Sequence, residues 1–180
     1  MRAQTIEVLR ESQRLGFIGG RPVELAADHA AAFAAVLGQV PAGSRVIDLG
    51  SGGGLPGLVL AELLPHCSIL LVDRRQKRTD FLHRAVRRLG FQHVEVREAD
   101  VEAIAREVAC GGIAPFHVVT ARGFGPPERT LRIACRLTGP KGRIVISEPP
   151  TGERWDPGLH DELGVSSERV GAVRVFHVKP

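Results

Sequence analysis

From Val46 to Gly57 the chain reads VIDLGSGGGLPG, and no other stretch restricts the possible folds as much. An apolar, β-branched run reaches a carboxylate, Asp48, and passes straight into a turn with glycines at 50, 52 and 54. Glycine lets the backbone adopt positive φ and approach a ligand closely. A Leu-rich segment follows, with Pro56 placed for the first turn of a helix. Strand, glycine-rich turn and helix in this order form the ligand crevice at the carboxyl edge of an open α/β sheet. Gly52, Gly54 and Gly57 also satisfy G-x-G-x-x-G, but 21 glycines in 180 residues make that match weak by itself.

The remainder of the chain fits such a sheet. Val- and Ile-rich runs at RVIDL (45–49), SILLV (68–72), HVEVR (93–97), FHVVT (116–120) and GRIVIS (142–147) alternate with segments of helix length. Several are apolar almost throughout, as strands covered on both faces must be. The alternation predicts a doubly wound, mostly parallel α/β sheet. VRVFHVKP (173–180) predicts a last strand, paired antiparallel with one near 163–170. Residues 2–15 predict a short helix, GFIGGRP (16–22) a loop, and Pro22–Leu37 an Ala-rich helix. Residues 1–40 therefore read as a helical extension on a domain spanning 41–180.

The acids beside the glycine turn narrow the ligand. In a dinucleotide site the helix N-terminus receives a pyrophosphate, which a carboxylate two residues before Gly50 would repel. Asp48 suits instead an amino-bearing or cationic ligand such as the methionine part of S-adenosylmethionine. Asp73 ends the second strand, where a carboxylate accepts hydrogen bonds from both ribose hydroxyls of an adenosine. Asp100 follows the third strand and is expected near the adenine; its other use is as a helix cap or a solvated turn residue. Arg122 ends the fourth strand, where a substrate would approach the methyl group; its other use is a salt bridge. A nicotinamide oxidoreductase is disfavoured by Asp48 and by the lack of an evident hydride-transfer acid.

The helix expected after Asp73 turns Phe81, Leu82, Ala85, Val86 and Leu89 toward the sheet and Lys77, Arg84, Arg87 and Arg88 away from it. Arg74, Arg75 and Arg78 crowd its first turn, against the helix macrodipole. A solvated face and a phosphate-contacting face both fit this pattern, and the net charge of +4 permits a polyanionic partner without demanding one. Cys67, Cys110 and Cys135 are too far apart for a zinc site and too few for a disulfide framework. Seven scattered histidines give no metal constellation. The opening MRAQTIEVLRESQRLGF is unlike a signal peptide, and no run approaches the roughly 20 apolar residues that span a bilayer. A reduced, cytoplasmic protein without a membrane or metal partner is expected.

Three segments, DLGSGGGLPGLVLA (48–61), LVDRRQKRTDFL (71–82) and VVTARGF (118–124), resemble the RsmG (GidB) methyltransferases. The resemblance runs from about His29 to the terminal strand. It implies a class I methyltransferase Rossmann-like fold, a seven-stranded sheet with an antiparallel last strand, and S-adenosyl-L-methionine as cofactor. It further implies ribosomal RNA or the small ribosomal subunit as partner, with methylation at a guanine N7 of 16S rRNA. Carried over by motif, Gly50 and Leu55 line the methionine and ribose portions and Asp73 faces the ribose. Ala99 and Asp100 contact the adenine, and Arg122 lies beside cofactor and target base as the catalytic candidate. Asp48, Ser51, Gly52, Gly54 and Arg74 complete the expected cofactor site. Phe124 and Trp155 are candidates for stacking on an RNA base, with core or rim packing as the other use of each.

Two places depart from the family. GFIGGRP stands where the family has an N-L-T-like stretch, and SEPPTG (147–152) stands where it has a Lys-Gly pair. Glu148 thus puts an acid where a base is expected, which would weaken attraction to RNA phosphate. A small-molecule methyltransferase and a non-catalytic S-adenosylmethionine-binding module remain the alternatives.

Overall fold

The β-branched runs assemble into one sheet in the computed structural model, which describes residues 1–180. The strands are β1 (Arg45–Leu49), β2 (Ser68–Asp73), β3 (Val94–Glu98), β4 (Phe116–Ala121), β5 (Thr138–Ser147), β6 (Val165–Val170) and β7 (Val173–Val178). Their order is β3-β2-β1-β4-β5-β7-β6. The first five run parallel, and β7 lies antiparallel to both β5 and β6. The expected sheet, including its antiparallel end, is present. β5 starts earlier than the GRIVIS run because Thr138 already pairs with Phe116, across an irregularity that Gly139 to Gly142 absorb.

Seven helices cover the sheet: α1 (Ala3–Arg14), α2 (Val23–Leu37), α3 (Gly57–Leu63), α4 (Gln76–Leu89), α5 (Val101–Ala109), α6 (Pro127–Leu137) and α7 (Pro157–Glu162). Side chains alternate between the faces of a strand, so Val46, Ile69, Leu71, Val118 and Val145 pack under α1, α2, α3 and α4. Ile47, Leu70, Val72, Val119 and Ile144 pack on the other face against α5, α6 and α7. Burial on both faces explains the nearly continuous apolar strands. On α4, Phe81, Leu82, Ala85 and Leu89 are buried as the wheel requires, and Gly90 ends the helix at φ +70 in the left-handed region.

Residues 1–40 share a core with the sheet. Val8, Leu9, Ala26, Ala30 and Phe33 belong to the same apolar cluster as Val46 and Ile69. α1 is pinned to α3 by Thr5, whose hydroxyl donates to Glu62. It is pinned to α4 by Arg88, which lies 3.1 Å from both Glu7 and Glu11. Arg88 therefore serves interhelical packing, whereas Lys77, Arg84 and Arg87 stay exposed on the outer face of α4. No helix is long and apolar enough to cross a membrane.

Candidate functional site

Parallel strands deliver their carboxyl ends to one edge, and there the glycine turn is built. Gly50, Gly52 and Gly54 take φ of +65, +53 and +96, values that favour glycine. Ser51 ties the turn to β2: its N–H donates to the Val72 carbonyl at 2.9 Å, and its hydroxyl donates to the Asp48 carbonyl at 2.9 Å. The Gly52 N–H donates to Asp73 Oδ2 at 3.0 Å. On the outer side the Ser12 hydroxyl, fully buried, donates to the Gly53 carbonyl at 2.8 Å. A Cβ at Gly53 would lie 2.6 Å from Ile18 and 2.9 Å from the Phe17 carbonyl. The segment read as a loop or hinge is thus a wall behind the turn, anchored by Phe17 packing edge-on against Phe81 at 5.7 Å. Sequence reasoning missed this wall; its one signal is glycine at position 53, where any side chain collides.

Asp48 lies beneath the turn and is inaccessible to solvent. Its Oδ1 accepts from the Thr120 hydroxyl at 2.8 Å, while Oδ2 has no hydrogen-bond partner and faces Gly57. Burial dominates and pushes its pKa up to about 6, against the opposing pull of Thr120 and Ser51. Asp73 is also buried. Its Oδ1 accepts from the Arg75 N–H at 2.9 Å and its Oδ2 from Gly52 and, at 3.4 Å, Arg78.

Above the turn opens a cleft of about 350 Å³ that gathers five of the expected residues: Gly50, Asp73, Arg74, Ala99 and Asp100. It adds Arg75, Phe124 and Arg129 to them. A Cβ at Gly50 would stand 2.8 Å from the Phe124 ring, so this floor has no room for a side chain. Asp100 uses Oδ1 to cap α5, accepting from the Glu102 N–H at 2.9 Å. Ser51, Gly52, Gly54 and Leu55 are buried beside the cleft and do not line it. Arg122 is half-buried, and its Nη1 donates to the Ala26 carbonyl of α2 at 3.2 Å. Burial and the neighbouring Arg21 lower its pKa, while Asp48 opposes them. The alternative salt-bridge use of Arg122 is not realised; its hydrogen bond goes to a backbone carbonyl.

A second cavity, about 230 Å³, lies past Phe124 at the ends of β4 and β5 and is lined by His29, Pro127, Glu148 and Arg154. His29 Nε2 lies 3.3 Å from the Ala172 carbonyl, and burial together with Arg122 lowers its pKa. Two expectations fail here. Glu148 is no exposed acid: its carboxylate is buried, accepts from Trp155 Nε1 at 2.5 Å, and stands 3.6 and 3.5 Å from the Nε atoms of Arg154 and Arg174. Two guanidinium groups offset its charge, so it offers RNA no exposed negative field. Trp155 is only 4% exposed and packs edge-on against Phe176 at 4.7 Å, which removes it as a stacking surface. Phe124, partly exposed between the two cavities, keeps that possibility.

The family described as rRNA small subunit methyltransferase G (GidB) matches residues 8–149. The chain belongs to this family. It is 42% identical over 134 residues to the ribosomal RNA small subunit methyltransferase G of Salinispora tropica, which covers 72% of this chain and 54% of that relative. Against the protein of the same name from Streptomyces coelicolor, identity is 38% over 149 residues, 82% of this chain and 60% of the relative. The chain spans about half the length of the curated relatives it matches, 54% and 50% for two of them. Among solved structures, MtNAS in complex with S-adenosylmethionine superposes with a TM-score of 0.66 at 17% identity, covering 97% of this chain and 73% of that one. A precorrin-6y C5,15-methyltransferase from Geobacter metallireducens superposes with a TM-score of 0.61 at 15% identity, covering 91% of each chain. At such identities these two speak for the fold, the class I methyltransferase Rossmann-like architecture. The glycine turn and the acid ending β2 thus meet in one cleft, while Glu148, just after β5, belongs to a buried ion cluster.

Proposed function

We propose that this chain binds S-adenosyl-L-methionine and transfers its methyl group to a guanine N7 of small-subunit ribosomal RNA. The observation that carries the reading is the convergence of Gly50, Asp73, Ala99 and Asp100 on one cleft in a chain of the GidB family.

The cleft fits the cofactor's adenosine. Each Asp73 oxygen accepts one backbone N–H, and a carboxylate oxygen has lone pairs to spare for ribose hydroxyls. Asp100 Oδ2 is not used in capping α5 and can accept from an exocyclic amine. Gly50 lets the Phe124 ring pack flush against the floor of the cleft, where a side chain would displace it. Ser51, Gly52, Gly54 and Leu55 hold the turn in shape from below. Asp48, with a pKa of about 6, is mostly ionised at neutral pH and sets a negative charge under the turn, favouring a cationic ligand. Arg74 borders the ribose side of the cleft.

When bound, the cofactor supplies an activated sulfonium methyl. The chain's own task is alignment, since guanine N7 has an exposed lone pair and no proton to remove. Arg122, at the end of β4, orients cofactor and acceptor with a charge that Asp48 helps retain. Phe124 offers a face for stacking an unstacked base. The test is transfer of radiolabelled methyl to small ribosomal subunits from a strain lacking this protein, followed by nucleoside digestion. Label in 7-methylguanosine is expected; cofactor binding without label on RNA would refute the RNA reading.

A further inference from the structure

The mouth of the cleft carries positive charge that no ion pair within the fold uses. Several arginines elsewhere are matched with acids: Arg10 with Glu24, Arg97 with Glu107, Arg132 with Glu128 and Glu162, and Arg136 with Glu102. Arg2, Arg14, Arg21, Arg84, Arg87 and Arg106 are exposed with no acidic partner, but none of them lines the cleft. Arg74, Arg75 and Arg129 are also exposed and without an acidic partner, and these three converge on the cleft. They come from opposite sides. Arg74 and Arg75 precede α4, on the sheet face that carries α1 to α3, whereas Arg129 lies in the first turn of α6 on the other face.

Both helices also direct their N-termini to this edge. The first turn of α4 has no acidic residue to offset its dipole, so arginines there are unfavourable for the helix itself. The two carboxylates in the cleft make no ion pair with these three arginines: Asp73 accepts from the backbone N–H groups of Gly52 and Arg75 and from the Arg78 guanidinium, and Asp100 caps α5. An adenosine brings no anion to this end. The ligand chemistry that neutralises guanidinium groups brought to one cleft from both sides of the sheet is a phosphate, which guanidinium binds in bidentate fashion.

We propose that Arg75 and Arg129 form a phosphodiester clamp across the cleft mouth, with Arg74 beside it, through which RNA backbone is drawn over the adenosine end of the cofactor. This rests on the RNA reading above and adds where the strand lies. It has a consequence for the cofactor: RNA seated there covers the cleft mouth and slows cofactor release.

The test compares the wild type with Arg75→Ala/Arg129→Ala and with Arg84→Ala/Arg87→Ala, which removes equal charge from the outer face of α4. The probes are a small-subunit rRNA transcript, S-adenosylmethionine, and adenosine 3′,5′-bisphosphate. For the cleft variant, RNA affinity should drop roughly 10-fold or more, and the slope of log K against log salt should shrink by about 1.4 to 1.8. Cofactor release, slowed by RNA in the wild type, should no longer respond to RNA in that variant, and the outer-face variant should behave as wild type. Unchanged RNA affinity and slope in the cleft variant, or an equal change in the outer-face variant, would overturn the clamp. Wild-type protein that binds no RNA at low salt would overturn the RNA reading itself. If the bisphosphate displaces the cofactor through these arginines while RNA binding ignores them, the site serves a free nucleotide and the clamp assignment fails.

Discussion

Replacing Asp48 by Asn should change how stability depends on pH, by an amount the structure fixes. The carboxylate is wholly buried with one side-chain hydroxyl donor, Thr120, and an unpartnered Oδ2. Burial raises its pKa from an ordinary 3.8 to about 6. At roughly 1.4 kcal/mol per pH unit, that rise corresponds to about 3 kcal/mol. Because the folded value lies above the unfolded one, the protonated acid favours the folded state. Its contribution is complete below about pH 3.8 and is lost as pH climbs through about 6. Asp48→Asn has no proton to lose. The stability difference between the variant and wild type should therefore move in the variant's favour by about 2 kcal/mol from pH 4 to pH 7.5. Any fixed cost of seating the amide is independent of pH and cancels. Urea unfolding at four pH values and constant ionic strength gives the two curves. Parallel curves, within about 0.5 kcal/mol throughout, would show that the carboxylate is solvated or paired in a way that contradicts its burial.

Gly53→Ala should cost about 1–3 kcal/mol through overpacking against Ile18 and Phe17, and Ser12→Ala about 1 kcal/mol. Both should weaken cofactor binding, as read by calorimetry; intact affinity in both would deny the N-terminal wall any hold on the turn. Arg122→Ala should reduce methyl transfer or cofactor affinity at least tenfold, while wild-type values in both assays would remove Arg122 from the site. Glu148→Gln leaves the guanidinium groups of Arg154 and Arg174 near an uncharged amide in a buried place. Breaking such a pair costs about 3–5 kcal/mol, and a melting temperature equal to wild type would place the cluster in solvent.

The strand runs, the α4 wheel and the meeting of Gly50 with Asp73 were all legible in the sequence, because each follows from short-range periodicity or from a motif at a strand end. Asp100 was legible both as a residue at the cleft edge and, by its place just before a helix, as the cap of α5 that it forms. Trp155 and Glu148 were misread because their partners, Phe176 and Arg174, come from β7, more than twenty residues away along the chain and adjacent only once the hairpin of β6 and β7 closes the sheet. Ser12 and Ile18 behind Gly53, and Arg129 opposite Arg75, were equally invisible. Local sequence determines which segments become strands and helices, since backbone preference and side-chain period act over a few residues. Only the folded sheet decides which of those segments face one another, because burial and charge pairing are settled by neighbours in space, and so the wall behind the turn and the cationic mouth of the cleft exist only in three dimensions.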